Sequence, residues 1–142
     1  MKKLVFLLAA LASVSFANAQ KVSEKEVPAA VKSALQKSHP NAKELKWEKE
    51  KGNYEAGFEV TETDYSVLID ASGNILETEV EIKIDEFPAN AKAYAAKHYA
   101  GQKIKEAAKI TDSKGVVTYE IEVKGKDLIF DNTGKFLKEV ED

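Results

Sequence analysis

Two histidines, a row of glutamates and two hydroxyl-bearing turns are the groups in this chain that could do chemistry. His39 and His98 are the only histidines. They fall near the ends of two helical stretches, at positions read as equivalent. Either could ligate a metal or act as a general base. A histidine there also interacts well with the free carbonyls and dipole of a helix C-terminus. No His-x-x-x-His or Glu-x-x-His spacing supports a metal site. Glu77, Glu79 and Glu81 line one face of a strand pattern, with Glu55 and Glu59 expected on the same face. Such a row could hold a cation such as Ca²⁺, or form a solvated face that discourages edge pairing. No Asp-x-Asp-x-Asp-Gly loop accompanies it. Ser72 and Thr133 have no Ser-His-Asp pattern around them, and no glycine-rich phosphate loop exists. Trp47 shares its face with Leu45 and is assigned to the core. The chain is therefore read as no enzyme, with no catalytic residue, no metal site and no cofactor.

Composition narrows the classes further. The chain has 142 residues, 24 Asp plus Glu and 21 basic residues, every one of them Lys. Without Cys it has no disulfide, thiolate metal site or cysteine nucleophile. Without Arg it lacks the usual bidentate clamp for phosphates. The acidic balance argues against nucleic acid and anionic membranes as partners. Lys2 and Lys3, the apolar run Leu4 to Phe16 and the small-x-small Ala17-Asn18-Ala19 read as a signal peptide over residues 1–19. The run is too short to span a bilayer. Cleavage leaves Gln20 as the first residue and places the protein in the periplasm or outside the cell.

Residues 20–142 contain an internal duplication, read as two repeats of one domain, about 27–84 and 87–140. Val27-Pro28-Ala29-Ala30-Val31-Lys32 echoes Phe87-Pro88-Ala89-Asn90-Ala91-Lys92, and Tyr54-Glu55 echoes Tyr119-Glu120. The run Leu68 to Leu76, through Asp70-Ala71-Ser72-Gly73, echoes Ile129 to Leu137, through Asp131-Asn132-Thr133-Gly134.

The elements that position these residues follow from periodicity. Pro28 and Pro88 suit a first helical position. Val27, Ala30, Val31, Ala34 and Leu35 recur at helical spacing, as do Phe87, Ala91, Tyr94, Ala95 and His98. Pro40 must end the first helix near Ser38 or His39, and the second ends before Gly101. Strand alternation is expected at Leu45–Trp47, Tyr54–Val60, Tyr65–Ile69 and Leu76–Ile84 in the first repeat. In the second it is expected at Ile104–Ile110, Val117–Val123, Leu128–Phe130 and Phe136–Val140. Lys51-Gly52-Asn53, Ser113-Lys114-Gly115 and the two Asp turns read as hairpin connections. The fold class is α+β: a tandem repeat of one helix and about four antiparallel strands, with the helices packed on one sheet face.

The paired [Val/Phe]-Pro-Ala-x-[Val/Ala]-Lys segments, the Tyr-Glu strands, the Asp-x-[Ser/Thr]-Gly turns and the export signal together resemble the β-lactamase-inhibitor-like, PepSY-like family of secreted proteins from Bacteroidetes-type bacteria. The resemblance runs from about Val27 to Val140. It implies a tandem α/β repeat whose sheet forms a concave surface, the surface with which true β-lactamase inhibitor proteins clamp the enzyme. This chain lacks the disulfides of those inhibitors and matches none of their inhibitory contact residues, so inhibition does not carry over.

One feature breaks the alternation. Val67-Leu68-Ile69 and Ile75-Leu76 flank the first Asp turn, and Leu128-Ile129-Phe130 and Phe136-Leu137 the second. Neighbouring strand residues face opposite sides, so apolar side chains should occur on both faces. Either the outer face buries them, or a bulge at the Gly changes the parity, or they form an apolar patch for a partner. On the last reading Leu68, Ile75, Ile129 and Phe136 are the partner-binding candidates. The function expected is an exported binding module that recognises an envelope protein or peptide through the open sheet face. The alternative is a periplasmic small-ligand or cation-binding protein using the Glu-rich strand face.

Overall fold

The computed structural model describes residues 19–141. They form two helices and nine antiparallel strands, distributed over two compact units divided along the chain after Thr78. In each unit the strand order follows the chain.

The first unit holds β1 (Gln20–Val22), α1 (Ala29–Ser38), β2 (Lys43–Glu50), β3 (Asn53–Val60), β4 (Thr63–Ile69) and the start of β5 (Ile75–Glu81). Pro28 is the residue before the helix rather than its first turn, and His39 closes it through a backbone bond to the Leu35 carbonyl at 2.7 Å. One face of the strands carries Trp47, Tyr54, Ala56, Phe58, Val67 and Ile69, which form a single buried cluster with Val27, Val31 and Leu35. Trp47 is therefore core. Its indole Nε1 is buried without a hydrogen-bond partner, a cost that the apolar contact of the ring must offset.

The second unit repeats the plan with α2 (Ala89–His98), β6 (Ile104–Asp112), β7 (Val117–Val123), β8 (Lys126–Asp131) and β9 (Phe136–Glu141). Its core joins Phe87, Ala91 and Ala95 to Ile121, Val123, Leu128 and Phe130. Volumes are traded between the copies. The helix contributes Val31 and Leu35 in the first but only Ala91 and Ala95 in the second, where aromatic rings fill the space. Phe87 meets Phe130 edge-on at 5.5 Å, and Tyr94 stacks on Phe136 at 4.4 Å.

The Asp turns are built as their residue types demand. The Asp70 carboxylate accepts from the backbone N–H groups of Ser72 and Asn74, both at 2.9 Å, and Asp131 does the same for Thr133 and Lys135. Asp112 closes a third turn in this way, bonding Lys114 and Val116. These bonds hold Asp70 and Asp131 below the ordinary carboxylate range, chiefly through the side chains of Asn74 and Thr133.

Three expectations are corrected here. The strand pattern expected up to Ile84 stops at Glu81, and Ile84–Glu86 forms a single 3-10 turn instead. Its counterpart is Glu24–Glu26, where Glu26 bonds the backbone and hydroxyl of Ser23 at 2.7 and 2.8 Å. The first unit gains the short strand β1, paired with β2 through Val22 and Trp47. Finally, His39 and His98 are not equivalent: each helix spans ten residues, so His98 matches Ser38 and Tyr99 matches His39. The leader cleavage site and its apolar run lie largely outside the described residues.

Candidate functional site

The face of each unit turned away from its helix is where polar chemistry collects. In the first unit, cross-strand rows on this face run Glu48–Glu55–Leu68 and Lys46–Gly57–Ser66. Glu55 belongs to the glutamate row read from the sequence as either a cation site or a solvated face. It does alternate away from the core residues Tyr54 and Ala56, but it is only 5% exposed. Its Oε1 accepts from the Ser66 hydroxyl at 2.5 Å, while its Oε2 is buried without a hydrogen-bond partner. Burial pushes the Glu55 carboxyl up to about 7; the Ser66 bond opposes this, and Glu48, Glu50 and Glu77 add to it by repulsion. Alternation told which face the side chain takes, but not how deeply neighbouring side chains would cover it.

The second unit buries the same position of its Tyr-Glu strand. Rows here run Ala108–Glu120–Ile129–Lys138 and Glu106–Glu122–Asp127–Val140. Glu120 and Asp127 are both buried. Asp127 stands where Ser66 stands in the first unit. The hydroxyl and carboxyl pair of one copy is thus two carboxyls in the other. No simple sequence signal marks this, because Ser66 and Asp127 read as ordinary polar residues of an outward face.

The four partner-binding candidates fall in different settings. Leu68 lies on the outer face, opposite Glu55, and is half-buried. Ile75 is partly buried against the first core. Ile129 is on the outer face but buried, at 3% exposure, so it does not present a free apolar surface. Phe136 faces the second core, stacked on Tyr94. The parity change responsible is a bulge: β8 and β9 shift register between Ile129 and Phe130, so Phe130 pairs with Phe136 and Ile129 with Lys138. The residue left over is Leu137, which is 50% exposed. Of the alternatives left open by the sequence, the bulge holds here: Phe136 faces inward and its neighbour Leu137 takes the water side.

Of the remaining candidates, Glu77, Glu79 and Glu81 are half-buried and Glu59 is exposed. Among the described residues, no three His, Asp or Glu side chains gather as a metal site would require. His39 is packed at 5.3 Å from the Phe58 ring and 5.9 Å from Tyr65, and burial lowers its pKa. His98 stacks on Tyr94 at 4.1 Å. Ser72 and Thr133 sit in the Asp turns, where the Thr133 hydroxyl bonds Asp131 at 2.6 Å.

Two overlapping segments, residues 14–77 and 61–138, match the protein family described as "Putative beta-lactamase-inhibitor-like, PepSY-like". No curated protein is significantly similar. Several solved structures are. A BLIP-like protein of Bacteroides fragilis is 27% identical with a TM-score of 0.62, over 79% of this chain and 84% of that one. A DUF2874 family protein of Bacteroides uniformis is 24% identical with a TM-score of 0.70, over 79% and 87%. A protein of Bacteroides eggerthii, described as periplasmic, is 21% identical with a TM-score of 0.72, over 80% and 87%. The last two likenesses are of fold.

Proposed function

The chain belongs to the β-lactamase-inhibitor-like, PepSY-like family, and on that premise we propose that it is an exported, non-enzymatic binding module that recognises an envelope protein or peptide through the outer sheet face. The observation that carries this reading is the burial of Glu55 and Glu120 at one position of both repeats, on the face away from the core. Burying a carboxyl costs free energy unless its bonds are met, and the Glu55 Oε2 is buried without a partner, so the outer face of the first unit keeps a polar group that its own packing does not satisfy. The outer face of the first unit also carries Leu68 beside a run of carboxylates, an apolar spot in a charged setting of the kind binding surfaces use.

Two comparisons support the reading without extending it to a target. The Bacteroides fragilis relative is described as BLIP-like, the same likeness that the family description names. The test is capture from native envelope extract with the mature chain as bait, repeated with Leu68→Lys. A complex that forms with the native chain and is lost with the variant supports the reading. Failure to retain any partner, or equal retention by both baits, overturns it. A rise in melting temperature on adding Ca²⁺ alone would favour the cation-binding alternative instead, since a ligand selective for the native state must stabilise it.

A further inference from the structure

We propose that Gln20 is a modification site: once the leader is removed, its side-chain amide closes on the new α-amine to give a pyroglutamyl N-terminus, which seals the short strand β1 against exopeptidases. The proposal rests on cleavage after Ala19, as read from Ala17-Asn18-Ala19, and it goes beyond the binding reading.

The chemistry is intramolecular. The unprotonated α-amine attacks the side-chain carboxamide carbon, Cδ. A bond forms between the α-nitrogen and Cδ, the bond from Cδ to Nε2 breaks, and Nε2 leaves as ammonia with the proton that the amine gives up. The product is a five-membered lactam, and no oxidant, reductant or other co-reactant is consumed. Glutamine has the side-chain length that closes this ring on its own α-nitrogen; asparagine is one carbon too short.

The structure leaves room for both steps. Ala19 and Gln20 are exposed, so packing blocks neither cleavage between them nor the folding of the Gln20 side chain back on its own nitrogen. The charges nearby favour the product. A free α-ammonium would stand beside Lys21, with Lys49 directly opposite Gln20 on β2. Like charges directly opposite one another across strands are destabilising. The lactam is neutral and keeps one N–H, so the head of the strand still presents an amide.

What the ring protects is Val22. It is the third residue of the mature chain, pairs with Trp47 and packs against the first core. β1 is three residues long and lies at the end of the strand order. A strand so short at a sheet edge opens at little cost, and chain ends are where proteolysis concentrates. Aminopeptidases act on a free α-amine, and the lactam offers none. Stepwise loss of residues 20–22 would strip Val22 from beside Trp47.

The test is mass spectrometry of the exported product of the full-length chain, taken from the envelope of cells that make it. Free amines are labelled on the intact protein before digestion, so that cyclisation during handling is not counted. The N-terminal peptide should start at residue 20, carry no label on its α-nitrogen and be lighter by one ammonia than the encoded sequence. A labelled Gln20 overturns the proposal and leaves the leader reading intact; a peptide that starts elsewhere overturns both. The purified protein and Gln20→Ala, which cannot cyclise, are then exposed to a broad aminopeptidase. The native chain should keep residues 20–22 and Gln20→Ala should lose them. Equal loss from both overturns the protective role, as does equal retention, which would mean that pairing with β2 protects the strand unaided.

Discussion

Gly73 packs against the first turn of α1 so closely that a Cβ on it would sit 2.8 Å from the carbonyl oxygen of Ala30. Gly134 is pressed in the same way on the start of α2, where its Cβ would meet the Cβ of Pro88 at 2.8 Å and clash with the Asn90 side chain. Asn90 in turn donates to the Thr133 carbonyl at 2.7 Å. The Pro-Ala segment and the Asp turn recur together in both copies because they touch: the turn seats the helix on the sheet. Gly73→Ala must bear both the contact and a φ of +90°. It should lose about 2–3 kcal/mol in a urea melt, the scale of a strained backbone in a tight site. Gly52, with open space around it, should lose less on the same change.

The turn between β3 and β4 runs through Thr61 and Glu62, with φ of 49° and 62°. Two consecutive left-handed residues make the hairpin turn that matches strand twist, and Asn-Gly is the sequence that favours it. A β-branched Thr is poorly suited there. Thr61→Asn with Glu62→Gly should stabilise the protein by about 1 kcal/mol, read as a higher denaturation midpoint at unchanged slope.

Glu55 gives stability an uncommon pH dependence. Its folded pKa of about 7 stands above the model-peptide value of 4.5, so folding favours the protonated form. The contribution is complete below pH 4.5 and is lost as pH rises towards 7, by about 3 kcal/mol over that window. Glu55→Gln, a neutral group of the same shape, should flatten that slope and be the more stable protein at pH 8. Asp70 and Asp131 work in the opposite sense. Their depressed pKa values mean that their contribution is present at neutral pH and is lost as pH falls through the folded values.

Leu68, Ile129 and Phe136 separate surface from core. Leu68→Ser should cost no more than about 1 kcal/mol, since the side chain is half-buried. Ile129→Ser leaves a hydroxyl and a void in a buried site and should cost about 2–4 kcal/mol. Phe136→Ala removes the ring stacked on Tyr94 and should cost about 2–3 kcal/mol, somewhat less than a fully buried Phe. Equal small losses at all three would contradict the burial described for Ile129 and Phe136.

Much of the fold was legible because it rests on strong local signals. Pro28, Pro40 and Pro88 bracket the helices, and period-two alternation marks the long strands. Three residues of β1 carry too little pattern to announce a strand. Nothing in Thr61-Glu62 signals a turn, because its glycine is missing. Ile82 and Ile84 continue the alternation of β5 in sequence, yet the chain leaves the ladder at Glu81 to form a 3-10 turn. The site was half legible. Parity placed Glu55 and Leu68 on the outer face, but depth depends on neighbours across three strands. The bulge that turns Phe136 inward and Leu137 outward depends on register at one residue, which periodicity does not resolve.

The central claim, that this is a binder working through its outer sheet face, is tested most directly by one capture experiment. Native envelope extract is passed over three baits: the mature chain, Leu68→Lys on the outer face and Lys37→Glu on α1. The account predicts a complex retained by the mature chain and by Lys37→Glu and lost by Leu68→Lys. A complex that survives Leu68→Lys but fails with Lys37→Glu would place recognition on the helix side, and no retained partner on any bait would contradict the claim altogether.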